Sequence, residues 1–424
     1  MKKILLKSPL LTQSGYGHHS RTVLRALRQH EGELFDVYIQ VLNWGATSWL
    51  HNSSEERRWI DDKILKTHEF ITNGGQFDVA IQVGIPQEWE HLSPINIGVT
   101  AGVETTKISP LWVQKINSMD KVLTISEHAK SSIINTIYEA ENNQTGEKVT
   151  LKCETPVDAI SYPVNLYEAK NLDLDLKTDF NFLAVMQLSP RKNLNQLVNC
   201  FIEQFKDKED IGLVIKTNMA KNSLIDKINC DRLLKTLVRS HEEDIKCKIY
   251  LLHGFMSEEE MTGLYTHPKI KAMVSTTHGE GFGLPLFEAA YNGLPVCATD
   301  WSGHLDFLYK KVKQKNGKTK NKHMFNRISY TLGQIQKEAV WENVVVADSK
   351  WAFPEAGSIK MNLDEIYKDY GRFKKRAKEL EKWVREEFHA DKQYQKYIDS
   401  ISSYLDDGKS DWLNEIENIV NEYE

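Results

Sequence analysis

A chain of 424 residues with 41% hydrophobic and 10% aromatic content is too long for one ordinary core and rich enough in apolar residues to fill two. A formal net charge of -5 excludes a global attraction to nucleic acid or anionic membrane, so any such contact has to be local. The opening MKKILLKSPL is too short and too interrupted by Lys7 and Pro9 for a signal-peptide core, no apolar run approaches spanning length, and five scattered cysteines fit neither a metal site nor a full disulfide framework; the expectation is a reduced, cytoplasmic protein.

Lys3–Lys7 predicts a first strand, and SPLLTQSGYGHHS then leads to a helix beginning near Arg21. Gly15 and Gly17 fall on the loop between them, where an open α/β sheet binds ligands, although the G-x-G-x-x-G spacing is absent. His18 and His19 are adjacent and so face different ways. At most one points into a cleft, and for that one capping or packing is the alternative to chemistry. Further strands at Phe35–Val41, Asp78–Val83, Ile95–Thr100 and Lys121–Ile125 alternate with helices, which predicts a mostly parallel, doubly wound sheet. Glu104 lies just past the Ile95–Thr100 strand and either orients a substrate or caps the helix that follows. Ser126 suits a helix N-cap with Glu127 in the first turn, and ENNQTGEK (141–148) reads as a surface loop.

In the second half, Asp179–Leu188 predicts a strand, and Ser189-Pro190 turns into a helix begun by Asn193 whose apolar residues Leu194, Leu197, Val198, Phe201 and Ile202 follow helical spacing. Arg191 and Lys192 therefore sit at a strand-to-helix turn, where two cations and a helix N-terminus can neutralise a diphosphate; a solvated basic turn is the plainer alternative. Lys216 ends the next strand, Gly212–Thr217, and can face the same cleft. Ile249–His253 is a further strand. The stretch from Val274 to Leu308 then reads as a βαβ unit: a strand, a glycine loop with Glu280, Gly281 and Gly283, a helix from Pro285 to Tyr291 stopped by Asn292-Gly293, and a short strand Pro295–Ala298. Glu288 in the first turn of that helix suits the two hydroxyls of a ribose, and Glu280 reaches a more distal part of the same ligand. Tyr309–His323 carries seven lysines and no acid. Such a run is either a mobile solvated loop or, over 310–322, a local phosphate-contact patch for a polyanion such as nucleic acid. Glu342–Val346, Trp351–Pro354 and a helix Leu363–Phe388 complete the half.

HGEGFGLPLFEAAYNGLPVCATDWSG (278–303) closely resembles the donor-site signature of retaining glycosyltransferases of the family 4 type, which have the two-domain GT-B fold. The resemblance implies two Rossmann-like domains facing across a cleft: 1–170 on the acceptor side, 171–390 on the donor side, and 391–424 as helices crossing back onto the first. It puts the roles of the E-x(7)-E pair on Glu280, near the transferred sugar, and Glu288, on the ribose, with Gly281, Phe282, Gly283 and Leu284 lining the donor. Arg191 and Lys192 take the diphosphate, Gly15 and Gly17 help close over it, and His18 or His19 lies on the acceptor or sugar side. SYPVN (161–165) resembles the exit strand before the linker. The family's usual Gly-Arg pair is absent at Gln187-Leu188, and Val103-Glu104 stands where a histidine and an acid are common, so Glu104 is the candidate there.

The activity implied is transfer of a sugar from a nucleotide-diphosphate sugar to a hydroxyl of a glycan, a lipid-linked saccharide or a small molecule. Retention is implied without an enzyme nucleophile, the leaving phosphate itself taking the acceptor proton. No cofactor and no metal are expected, because the two cations neutralise the leaving group. Transfer to modified bases of viral DNA is the alternative, motivated by the lysine run, and a non-catalytic nucleotide-sugar-binding protein is the third reading.

Overall fold

The computed structural model describes residues 1–405 apart from 45–46, 51–52, 142–145, 147, 242–243 and 315–316. Two six-stranded sheets carry the architecture. The first runs Phe35–Val41, Lys2–Ser8, Val79–Val83, Ile95–Thr100, Lys121–Thr124, Val157–Ala159, with every neighbouring pair parallel. The second runs Lys248–Leu252, Ile211–Asn218, Phe180–Gln187, Ile270–Ser275, Val296–Thr299, Asn326–Ile328, again parallel throughout. Strand centres such as Val79, Ile97, Phe182 and Leu213 are fully buried, as apolar and β-branched side chains covered by helices on both faces require. This is the GT-B arrangement of two Rossmann-like domains.

The chain returns to its first domain at the end. Helix Ala390–Leu405 buries Tyr394, Tyr397, Ile398 and Ile401 in the core built on Ile4, Leu6, Val23 and Leu27. Tyr404 donates to Asp120 O at 2.9 Å and Ser400 to Asp158 at 2.7 Å, both on the first sheet's side. Residues 406–424, where the remainder of the expected C-terminal helices falls, lie outside the described residues. Among the described residues no helix is long and apolar enough to cross a membrane.

Several expectations are corrected. The first helix spans Gly15–Arg28 rather than starting near Arg21: Ser14 caps it by accepting from Gly17 N at 3.0 Å, and a Cβ on Gly17 would lie 2.1 Å from Thr12 O. Gly15 and Gly17 are thus in the helix's first turn and not on a loop. Residues 161–165 form no strand, Val164 N donating to Phe388 O at 2.8 Å, and Val157–Ala159 is the edge strand instead. The helix expected over Leu363–Phe388 is two, Ala356–Lys368 and Tyr370–Glu387, broken where Asp369 takes φ -129 and ψ 47. The loop over 141–148 joins two antiparallel strands, Ile137–Glu141 and Lys148–Lys152, its inner residues 142–145 and 147 lying outside the described residues. The lysine run is no open loop: Tyr309–Lys313 and Thr319–His323 pair as an antiparallel ribbon.

Candidate functional site

Strand Phe180–Gln187 lies inside the second sheet, and the chain leaves its C-terminal end through a single 3-10 turn, Pro190–Lys192, before helix Leu194–Phe205. Asn193 joins turn to helix at φ 54, a left-handed conformation that asparagine tolerates better than any residue but glycine. Its side chain donates to Thr276 O at 3.2 Å, Thr276 Oγ1 returns a bond to Asn193 O at 3.2 Å, and His278 N donates to Arg191 O at 2.9 Å. The basic turn is thereby laced to the loop that leaves the neighbouring strand, Ile270–Ser275, and that loop carries Glu280.

Glu280 is held on three sides. Lys192 Nζ donates to Oε1 at 2.6 Å, Arg191 Nη1 to Oε2 at 3.0 Å, and the Glu280 N–H donates to Ser302 Oγ at 2.8 Å. Arg191 Nη1 also reaches Gly279 O at 2.5 Å, while its Nη2 stands 3.2 Å from Glu104 Oε1 in the first domain. One guanidinium therefore bridges the domains. Ser126, the N-cap of helix Glu127–Ile134, does two jobs: its Oγ accepts from Ala129 N at 3.1 Å and donates across the cleft to Gly281 O at 2.6 Å. Backbone crowding explains the glycines here. A Cβ on Gly303 would sit 1.9 Å from Gly281 O, and one on Gly281 would sit 2.9 Å from Ala101 O of the first domain. Ser302 is forced to φ 89 beside them.

Charge is balanced within this cluster. Burial alone would raise the Glu280 pKa, but attraction from Lys192 and then Arg191, with the Lys192 hydrogen bond, outweighs it and brings the carboxyl down to about 2. Burial lowers the Lys192 pKa against the pull of Glu280. The reverse holds at Glu288, where burial lifts the carboxyl to about 8 despite the hydrogen bond that Tyr265 OH donates to Oε2 at 2.7 Å. Helix Leu284–Tyr291 starts one residue earlier than expected and has no acid in its first turn, so Glu288 sits in the second turn, beyond the strongest favour of the helix dipole. Gly283, at φ 90, supplies no capping side chain to that helix.

The other sequence candidates divide. Lys216, at the end of strand Ile211–Asn218, donates to Gly254 O at 2.5 Å. The Phe282 side chain is 2% exposed and packs edge-on against Tyr162 and Phe287, which leaves its backbone as the part that lines the loop. Leu284 likewise packs against that apolar cluster. His19 is fully buried, with Nε2 3.2 Å from Tyr397 OH, and belongs to the packing of the returning helix. His18 is half-buried with its ring against Tyr162, and burial, then the charges of Arg21 and Arg25, push its pKa down to about 3, so it stands neutral. Gly15 and Gly17 serve the helix start. Gly303 closes the quoted signature, whereas the roles of Ser302 and Tyr265 go beyond what the sequence indicated. A serine in a turn and a tyrosine in helix Glu258–Thr266 carry no sequence mark that separates them from ordinary turn and core residues.

Residues 170–328 match the family model described as glycosyl transferases group 1. A 136-residue stretch is 32% identical to the serotype-specific mannosyltransferase WbdA of Escherichia coli, covering 32% of this chain and 15% of that relative's length. Two solved structures superpose on nearly the whole chain at low identity. The Anabaena protein HepE, in complex with UDP-glucose, matches at 12% identity with a TM-score of 0.58, covering 95% of this chain and 100% of that one. Sucrose-phosphate synthase of Thermosynechococcus elongatus matches at 12% identity with a TM-score of 0.58, covering 93% and 97%. The chain has the GT-B fold, and its residues 170–328 are similar to the glycosyl transferases group 1 family.

Proposed function

We propose that this chain is a retaining, metal-independent glycosyltransferase of the family 4 type that moves a sugar from a nucleotide-diphosphate sugar to an acceptor hydroxyl. The observation that carries the reading is the convergence of Arg191 and Lys192 on Glu280 between the two domains, within a segment that matches the group 1 model. Two cations on a strand-to-helix turn suit a diphosphate, and the E-x(7)-E carboxylates flank it, Glu280 towards the sugar and Glu288 towards the ribose.

In the reaction the bond from the anomeric carbon to the diphosphate oxygen breaks with its electron pair going to that oxygen. Arg191 and Lys192 stabilise the charge that develops there, a contribution of roughly 3 to 4 kcal/mol per well-placed donor where water is excluded. The acceptor oxygen attacks from the same face, and its proton passes to the departing phosphate oxygen. Glu280, ionised at about pKa 2, accepts hydrogen bonds from sugar hydroxyls and keeps Lys192 in place. Both it and Glu104 are engaged by cations, which disfavours either as a covalent nucleophile. The five free cysteines suit a reducing, cytoplasmic setting.

A panel of nucleotide sugars offered with glycan, lipid-linked and small-molecule acceptors, read by mass spectrometry and by NMR of the product anomer, tests this. Release of the nucleoside diphosphate with an axial-to-axial or equatorial-to-equatorial outcome supports it. Inversion at the anomeric carbon, or binding with no turnover of any donor, contradicts it.

A further inference from the structure

The lysine run forms a surface that the donor chemistry does not use. Within Tyr309–His323 there are seven lysines and no acid, in a chain whose net charge is -5. Register pairs Lys310 with Lys322 and Val312 with Lys320, so these four share one face of the ribbon, while Lys311 and Lys313, opposite Asn321 and Thr319, share the other. Like charges directly opposite each other destabilise a strand pair, so the ribbon's own stability does not account for them. Lys322 meets Glu379 at 3.4 Å, but Lys310, Lys313 and Lys320 have no acidic partner among the described residues. Helix Tyr370–Glu387 continues the positive face, placing exposed Lys375 and Lys382 one turn either side of Glu379.

The ribbon is rooted at the rim of the interdomain cleft. It starts directly after helix Leu305–Leu308, whose Asp306 accepts from Glu127 N of the first domain at 2.9 Å. The residues before that helix, Ser302 and Gly303, are the ones bonded to Glu280.

We propose that the ribbon binds the phosphodiester backbone of duplex nucleic acid by entering a groove. A two-stranded ribbon fits a major groove roughly 12 Å wide, and lysines on both faces then meet both walls. A bilayer meets only one face and is favoured by apolar and aromatic side chains, of which the ribbon exposes Val312 alone among the described residues. The binding is independent of the sugar-nucleotide reading; that the bound duplex is also the acceptor rests on it.

The test is fluorescence anisotropy of the whole chain with a labelled duplex across a salt series of about 50 to 200 mM, for wild type and for the Lys310→Gln, Lys313→Gln, Lys320→Gln triple variant. Circular dichroism and calorimetric binding of nucleotide sugars confirm that the variant keeps its fold and cleft. The variant is expected to bind about tenfold more weakly or worse, with a slope of log affinity against log salt flatter by about 2.7, roughly 0.9 per lysine. Absence of duplex binding by wild type overturns the proposal, as does an unchanged affinity and slope in the variant. Capture by phosphatidylserine vesicles without duplex binding overturns it in favour of a membrane surface. If neither protein binds any nucleotide sugar but the lysine-dependent duplex binding is present, it is the transferase reading that fails.

Discussion

Lys192 Nζ lies 2.6 Å from Glu280 Oε1, a cation from one strand-to-helix turn paired with a carboxylate from the glycine loop after the adjacent strand. Both side chains are largely buried, so removing one partner leaves the other as an uncompensated buried charge. In the proposed reaction the ammonium is shared between Glu280 and the departing diphosphate.

Arg191 is tied to Glu280 and Glu104 at once, so its fork geometry matters as well as its charge. Arg191→Lys is expected to lower kcat/KM for the donor by about 100-fold while leaving the fold intact, since it keeps a charge and loses the bidentate reach. Steady-state kinetics with circular dichroism checks this; a loss below about threefold contradicts the assignment.

Glu104 is read as the residue that positions Arg191 from the opposite domain, not as a nucleophile. Glu104→Gln is expected to raise the donor KM by about tenfold with kcat within about threefold, because the Arg191 guanidinium loses a charged partner. Intact-protein mass spectrometry with a slow fluorinated donor is expected to show no covalent adduct. An adduct on Glu104 or Glu280 refutes the front-face mechanism.

Glu288 gives a pH signature with a definite sign. Its folded pKa is raised to about 8, so from about pH 4.3 to 8 the folded protein holds a proton that the unfolded chain has released. The group therefore costs stability as pH rises through that window. The thermal midpoint of wild type is expected to fall relative to Glu288→Gln between pH 5 and 8, by about 2 to 4 °C for each kcal/mol lost. Glu280 acts in the opposite sense: its folded pKa is lowered to about 2, so its contribution is complete above about pH 5 and is lost as pH falls from about 4 towards 2. Parallel pH curves for wild type and Glu288→Gln contradict the protonation state.

Much of this site is legible from residue order. Most strands of both sheets lie within a residue or two of their expected positions, because buried parallel strands such as Ile95–Thr100 read as short apolar-rich runs bounded by breakers; the edge strands Val157–Ala159 and Asn326–Ile328 are not foreseen, and Ile270–Ser275 begins four residues before the expected Val274. Arg191, Lys192 and Glu280 are placed by the same reasoning, since ligand sites lie at the carboxyl ends of such strands. What is not legible depends on contacts distant in sequence. The Glu104–Arg191 bridge joins residues 87 positions apart across two domains (191 − 104), and no local pattern marks it. The start at Gly15 runs against glycine's low helix propensity and is set by the Ser14 cap and by the close approach of Thr12. At the ribbon, seven lysines mask a strand pattern whose one local signal is the Asn316-Gly317 dipeptide.

Asn193 tests the local geometry. Asn193→Ala at φ 54 is expected to destabilise by about 1 to 2 kcal/mol, because alanine pays the steric cost of the left-handed region and loses the bond to Thr276 O. Asn193→Gly is expected to stay within about 1 kcal/mol of wild type. Denaturant unfolding decides, and equal losses in both variants contradict the conformational argument.

Metal independence has its own check. Turnover is expected to survive EDTA unchanged, because Arg191 and Lys192 supply the positive charge at the leaving group. Loss of activity restored by Mg²⁺ or Mn²⁺ contradicts it.

The central claim is that the cleft holds an activated sugar with its diphosphate on the basic turn. The most direct measurement is nucleoside-diphosphate release from the nucleotide-sugar panel by wild type and by Lys192→Gln, both verified as folded. At least one donor is expected to be turned over by wild type, with its nucleoside diphosphate released about 100-fold or more slowly by the variant. A folded wild type that ignores every donor, or a variant that matches wild type on the donor it uses, contradicts it.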